Sequence, residues 1–286
     1  MEIIKTTSEM IRWSTDIRAV GQTIALVPTM GFFHEGHLSL MKEAKKVADK
    51  VVVSLFVNPT QFGIGEDLAS YPRAFEDDAA KASEVGVAAL FCPEPDQIYP
   101  PGFQSAVTVS GITQELCGKS RPHHFAGVTT VVNKLFNIIQ PQCALFGEKD
   151  FQQLAVIKRM VADLNMPVKI IGHPIVREED GLAMSSRNAY LDKNERQQAL
   201  CLWRSLQEAQ KRALAGERES AKMKMIVRDV INRHGHCQID YIEFINKNTL
   251  ESSARIDDDV ILALAVRIGE TRLIDNGRLL HGEDNV

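Results

Sequence analysis

Short, almost continuously apolar runs rich in β-branched residues recur along the first part of the chain: TIALVP (23 to 28), VVVSLFV (51 to 57), VAALF (87 to 91), CALFG (143 to 147) and VKIIG (168 to 172). Such runs read as strands buried on both faces. Between them the apolar period changes. EGHLSLMKEAKKVA (35 to 48) sets Leu38, Met41, Ala44 and Ala48 at helical spacing, and FQQLAVIKRMVADL (151 to 164) does the same with Leu154, Ile157, Val161 and Leu164. Strand alternating with helix implies βαβ units, right-handed crossovers and a doubly wound parallel sheet covered by helices on both sides.

The pattern changes near residue 176. Two amphipathic stretches, 191 to 215 and 219 to 235, follow one another with no apolar strand between them. Asp192 with Glu195 three residues on is a capping box that starts the first. Three strand-like runs then follow, CQIDYIEFIN (237 to 246), VILALAVRIG (260 to 269) and RLIDN (272 to 276). A chain of 286 residues also sits at the length where one core splits into two. The expected organisation is an α/β domain over 1–175 and a smaller C-terminal α+β domain over 176–286.

Charge and apolar length narrow the function classes. A net charge of −4 leaves no general basic field, so a nucleic-acid partner is not expected and any anionic ligand must be held by a few placed cations. The N-terminal stretch carries Glu2, Glu9 and Asp16 and lacks an apolar signal core, and the strongest apolar run, 260 to 266, is too short to span a bilayer. A cytoplasmic protein acting on small molecules, with no membrane partner, is expected. Cys92, Cys117, Cys143, Cys201 and Cys237 form no CxxC pair and read as reduced thiols, mostly core.

In open parallel sheets, ligands bind outside the carboxyl ends of the strands. Here those exits read PTMGFFHEGH, NPTQFG and GEKDFQQ. The familiar phosphate loops are absent: there is no GxxxxGK[ST], and the one GxG, Gly63 and Gly65, has Leu68 where a third glycine is needed. At the first exit a glycine turn, Gly31, runs into a helix with His34 and His37 on its first turn. Metal pair, core or cap, and phosphate cradle are all open for two such histidines. The metal reading lacks the HExxH spacing and further ligands, whereas a helix N-terminus with two imidazoles suits phosphate. At the third exit Lys149 is a compact charge able to reach phosphates. A polar loop, DGLAMSSRN, strings together Ser185, Ser186 and Arg187. Each segment is ambiguous alone.

Taken in order, PTMGFFHEGH, FVNPTQF, YPR, RPHHFAGVTTVVNKLFN, FGEKDFQQL and DGLAMSSRN closely resemble the pantoate–β-alanine ligase family, part of the HxGH nucleotidyltransferase superfamily with a Rossmann-like sheet. The resemblance implies an ATP-dependent, AMP-forming condensation of (R)-pantoate with β-alanine through a pantoyl-adenylate, with pyrophosphate released and Mg²⁺ as cofactor. It implies ATP contacts from Met30, Gly31, Phe32, Phe33, His34, Glu35, Gly36 and His37, from Gly147, Glu148, Lys149 and Asp150, from the Val176 backbone, and from Met184, Ser185, Ser186 and Arg187. Among these, His37 is expected as general acid, with His34, Lys149 and Arg187 neutralising charge. Gln61, Gln153 and Asn58 are expected to hold pantoate, with Gln61 near β-alanine and Val131 and Val132 against the gem-dimethyl group. Asp77 and Asp78 are candidate magnesium contacts. The family is commonly homodimeric, and its C-terminal domain is expected to act as a lid led by DGLAMSSRN. His123 in RPHHF and Cys117 depart from the usual family residues, glycine and glutamate.

Two rival readings stay open. An adenylyl- or cytidylyltransferase acting on a phosphate acceptor uses the same HxGH cradle, and a nucleotide sensor retains the fold without turnover. The sensor is disfavoured because no position matching the family's catalytic residues is lost.

Overall fold

The computed structural model describes residues 1–235 and 237–280. The first elements in chain order are β1 (Glu2–Ile4), α1 (Thr7–Ala19), β2 (Ile24–Thr29), α2 (Glu35–Val47), β3 (Lys50–Leu55), α3 (Phe75–Val85), β4 (Ala89–Phe91), α4 (Pro95–Ile98) and α5 (Cys117–Ser120). They are followed by α6 (His124–Ile139), β5 (Cys143–Gly147), α7 (Phe151–Asp163), β6 (Lys169–His173), α8 (Lys193–Leu214), α9 (Ser220–Asn232), β7 (Cys237–Asn246), β8 (Val260–Ile268) and β9 (Thr271–Arg278).

Six strands pair in the order β1-β4-β3-β2-β5-β6, all parallel. The alternating side-chain directions of a strand explain why both faces are apolar. Ile24 and Leu26 of β2, Val52 of β3, Ala89 and Phe91 of β4, and Ala144 and Phe146 of β5 enter one apolar cluster, together with Met10, Leu135, Ile139, Leu154 and Ile157 from α1, α6 and α7. The intervening residues, Ala25, Val27, Val51, Val53, Leu90, Cys143 and Leu145, enter a second cluster with Leu40, Met41 and Ala44 of α2 and Ala82 of α3. Each large apolar side chain so buried contributes about 1.5–3 kcal/mol. The doubly wound sheet expected from the continuous apolar runs is therefore present. Six of these elements had no expectation: β1, α1, α3, α4, α5 and α6.

From β2 the chain steps outward to β3 and β4, then returns to place β5 on the other side of β2. The reversal of strand order between β2 and β5 makes their carboxyl ends the crevice in this sheet. Those ends are Thr29 and Gly147, which lie in the first and third of the exit segments singled out above.

By internal contacts the chain forms two compact units. One comprises Met1–Glu148 and Gln152–His173, and the other Lys149–Phe151 and Pro174–Val286. The break falls two residues before the expected boundary, and the short piece carrying Lys149 goes with the second unit. A hydrogen bond from Asn276 Nδ2 to the Lys149 carbonyl, 3.0 Å, ties it there. The second unit packs α8 and α9 against an antiparallel sheet, β7-β8-β9, over its own apolar cluster that includes Leu202, Leu206, Met223, Phe244 and Leu264. Asp192 caps α8 through the Asn194 and Glu195 N–H groups, and Glu195 answers on the Asp192 N–H, as the spacing predicts. All five cysteines are free thiols.

Candidate active site

The loop after β2 is held by α3. Gly31 has φ +87° and Phe32 φ +56°, a left-handed pair that costs an L-residue such as phenylalanine on the order of 1 kcal/mol. Asp78 compensates by accepting the Phe32 N–H at 2.7 Å on one carboxylate oxygen and the Phe33 N–H at 2.6 Å on the other. One turn further along α3, Lys81 donates to the Phe33 carbonyl at 2.9 Å. Gly31 is required by its φ and by space, because a Cβ there would lie 3.1 Å from Asp78 Oδ2 and 3.2 Å from Leu55 Cδ2.

The same geometry bears on Asp77 and Asp78, the candidate magnesium contacts. Adjacent helical residues point roughly 100° apart. Asp78 is buried, with both oxygens engaged by backbone, whereas Asp77 faces outward and pairs with Lys81 at 2.7 Å. They do not fit a shared ion, and among the described residues no cluster of three or more His, Cys, Asp or Glu is placed to hold one. Burial pushes the Asp78 carboxyl above its ordinary range, partly offset by the Phe33 and Phe32 N–H groups.

The loop delivers His34 to the N-cap of α2. Its Nδ1 accepts from the Gly36 N–H at 3.2 Å, and His37 Nδ1 accepts from the His34 N–H at 3.4 Å, so the two imidazoles cap the helix reciprocally with their rings 4.1 Å apart. A nitrogen that accepts from an N–H carries no proton, which assigns the ring proton to Nε2 in both histidines. Each therefore has its Nε2–H beside the positive end of a helix, an arrangement suited to phosphate oxygens. Glu35 is exposed and pairs with Lys42 at 2.5 Å, away from this function.

After β3, a 3₁₀ turn over Pro59–Gln61 is capped by Asn58. Asn58 is 1% exposed. Its Nδ2 donates to Gln61 Oε1 at 3.2 Å and to the Gly127 carbonyl at 3.1 Å. Gly127 cannot carry a side chain, because a Cβ would sit 2.4 Å from the Thr60 carbonyl oxygen. Arg121 and His124 hold the turn from the other side: Arg121 Nη2 donates to the Gln61 carbonyl at 3.2 Å, and His124 Nδ1 lies 2.9 Å from the same oxygen. Arg121 also grips both oxygens of Glu66. Burial alone would raise the Glu66 carboxyl, but the hydrogen bond and charge of Arg121 outweigh it and hold Glu66 below the usual range.

The adjacent glutamines of α7 diverge. Gln152 is buried and binds the Cys117 N–H and the Ile112 and Glu115 carbonyls, pinning the segment before α5, while Gln153 is only half-buried. Val131 and Val132 of α6 are 7% and 4% exposed and belong to the apolar cluster on that side of the sheet. Arg121, His124, Tyr99, Gln152 and the structural use of Asp78 were not anticipated. The spacing of Asp78 and Lys81, one helical turn apart, is the one sequence signal that bears on them.

In the second unit, the remaining candidates surround β9. Lys149 lies 3.7 Å from Asp150, and its carbonyl meets Asn276. Arg177 makes a two-pronged ion pair with buried Asp275 at 2.7 and 3.0 Å, donates to the Gly181 carbonyl, and stacks 4.2 Å over the Trp203 ring. The Met184 N–H bonds the Val176 carbonyl at 3.0 Å. Ser185 caps the 3₁₀ turn Ser186–Tyr190 through the Arg187 N–H, and that turn packs on β9. Arg196 binds both Glu178 and Asp180, and Asn188 binds Glu178 and the Ala183 carbonyl. The DGLAMSSRN segment is thus a braced part of its unit.

No described helix is long and apolar enough to cross a membrane. A sequence model of the family described as pantoate-beta-alanine ligase matches residues 2–278. The chain is 55% identical over 280 residues to a pantothenate synthetase of Syntrophotalea carbinolica, covering 98% of this chain and 99% of that one. It is 54% identical to one of Geotalea uraniireducens, covering 99% and 100%. Among solved structures, pantothenate synthetase from Thermus thermophilus superposes with a TM-score of 0.93 at 40% identity, covering 98% and 100%. A pantoate-beta-alanine ligase from Francisella tularensis, complexed with beta-gamma ATP and beta-alanine, gives 0.81 at 32% identity over 99% of both chains. With the strand reversal, the twin-histidine cap and the glutamine turn in place, these matches establish that the chain belongs to the pantoate–β-alanine ligase family.

Proposed function

We propose that the ATP-dependent joining of pantoate to β-alanine, the reaction of this family, runs here through a pantoyl-adenylate. A pantoate carboxylate oxygen attacks the α-phosphorus as the bond to pyrophosphate breaks; the β-alanine amine then attacks the acyl carbon and AMP leaves. The attack brings an anion to a polyanion, so catalysis is chiefly charge neutralisation and alignment. The observation that carries this reading is the reciprocal histidine cap, which fixes both imidazoles as Nε2–H donors at the N-terminus of α2. In this assignment His34 and His37 donate to phosphate oxygens, a preorganised arrangement worth about 10²–10³ in rate for one donor.

By the family resemblance, the nucleotide contacts are Met30–His37, Gly147–Asp150, Val176 and Met184–Arg187, with Lys149 and Arg187 as its cations. Gln61, Gln153 and Asn58 hold pantoate. Mg²⁺, when bound, would supply further charge neutralisation to the triphosphate. The family resemblance also supports a cytoplasmic homodimer, which sedimentation at twice the chain mass checks.

AMP release from ATP with pantoate alone, β-alanine alone and both tests the reaction, and sustained turnover is expected only with both. Pantoate carrying heavy oxygen in its carboxylate tests the intermediate. One labelled oxygen appears in AMP if the adenylate forms. AMP free of label overturns it. A nucleotidyltransferase acting on a phosphate acceptor would release no AMP in any arm.

A further inference from the structure

The amide of Gln61 has a fixed direction, and its cause lies three side chains deep. Tyr99 Oη donates to Asn58 Oδ1 at 2.8 Å, and the Thr60 hydroxyl reaches the same oxygen at 3.0 Å while lying 3.1 Å from Tyr99 Oη. The Thr60 N–H also points at Asn58 Oδ1, at 3.4 Å. An atom facing these donors must be an oxygen. The other end of the Asn58 amide faces the Gly127 carbonyl, which only accepts, so that end is the NH₂. Asn58 therefore cannot be flipped, and its Nδ2 occupies Gln61 Oε1. With Oε1 held on Asn58, the amide turns its Nε2 the other way, where it rests 3.0 Å from Met30 Sδ, a weak acceptor that a substrate oxygen readily displaces.

We propose that Tyr99 is a positioning residue for the known reaction: through Asn58 it fixes the direction of the Gln61 amide, so that Nε2–H meets an acceptor oxygen of the acid substrate. The inference rests on the reading above that Gln61 contacts pantoate. The ring of Tyr99 is itself held edge-on by Phe103, with centroids 5.1 Å apart, and packs against Phe56, so removing its hydroxyl leaves the ring in place.

The test is a double-mutant cycle with steady-state kinetics. Tyr99→Phe is expected to raise KM for pantoate about three- to ten-fold, the loss of one hydrogen bond, with KM for ATP and the melting temperature unchanged. In a Gln61→Ala background the same substitution is expected to change KM for pantoate by less than about 1.5-fold, because the amide it orients is gone. Gln61→Glu, which replaces the donor by an acceptor of the same shape, is expected to lose more affinity for pantoate than Gln61→Ala does. An equal Tyr99→Phe effect in both backgrounds, or a parallel rise in KM for ATP, overturns the relay. A Gln61→Ala enzyme with wild-type KM for pantoate instead overturns the substrate role of Gln61, on which the relay depends.

Discussion

Replacing Asp78 by alanine removes the clamp on the loop that carries the two histidines. The carboxylate accepts two short backbone bonds, 2.6 and 2.7 Å, to residues in a conformation they would otherwise leave. Bonds to an ionised acceptor contribute about 1.5–3 kcal/mol each, and a buried N–H left without its partner costs about 1–3 kcal/mol. Relief of a desolvated charge works in the opposite direction, since burial already raises the Asp78 carboxyl above its ordinary range. The balance is a loss of about 3–5 kcal/mol, a large share of a typical total of about 5–15 kcal/mol. Asp78→Asn keeps one acceptor and sets an NH₂ against the other N–H, so about 1–3 kcal/mol is expected. Urea denaturation followed by fluorescence ranks the three proteins. The native enzyme should also lose stability as pH rises from the usual Asp range to the raised folded value, because the unfolded chain has already released the proton that the fold retains. Asp78→Asn erases that decline. With the loop released, kcat/KM for ATP should fall on the order of 10²-fold, the scale of a misplacement of about 1 Å. An alanine variant within about 0.5 kcal/mol of the native protein and with unchanged kcat/KM would refute the clamp.

Gly127→Ala forces a methyl onto the Thr60 carbonyl and should cost about 1–3 kcal/mol in denaturant stability while raising KM for pantoate, because the Pro59–Gln61 turn must move. Asp275→Ala strips the partner from Arg177 in a buried pair and should cost about 3–5 kcal/mol, read as a shift of the urea midpoint at constant slope. Glu66, held below its usual range by Arg121, stabilises the fold above the unfolded carboxyl value, and that contribution is lost as pH falls through the lower folded value. Glu66→Gln should therefore flatten the acid limb of a stability-against-pH curve; an unchanged limb would mean that the pair contributes nothing there.

The parallel sheet was legible because its strands are buried on both faces, and short continuous apolar runs between helical patterns seldom arise in any other way. Helix α6 was not, for the same physical cause: Val128, Val131, Val132, Leu135, Phe136, Ile138 and Ile139 bury so much of its circumference that no polar stripe marks the period. Helix α1 hides differently, burying only Met10 and Ser14 among its thirteen residues. At the candidate site, the residues proposed to face a ligand stood out as motifs, whereas those that hold them did not. Gln152 and Gln153 look alike in sequence, and only the turn of the helix sends one into the core on the Cys117 N–H. Asp77 and Asp78 look like a pair until the same turn separates them.

The supporting residues share one principle. His37 is oriented by the His34 backbone, Gln61 by Asn58 and Tyr99, and the glycine turn by Asp78 and Lys81, each a contact between segments distant in sequence or locked by a helix start. Donors fixed in this way need no reorganisation when charge builds on a phosphate or carboxylate, which is where preorganised dipoles outperform water. A motif such as HEGH supplies the donor atoms, but their direction comes from α3, α6 and the segment around Tyr99. For the same reason, changes outside the motif that spare every ligand-facing side chain are expected to reach the chemistry through orientation alone.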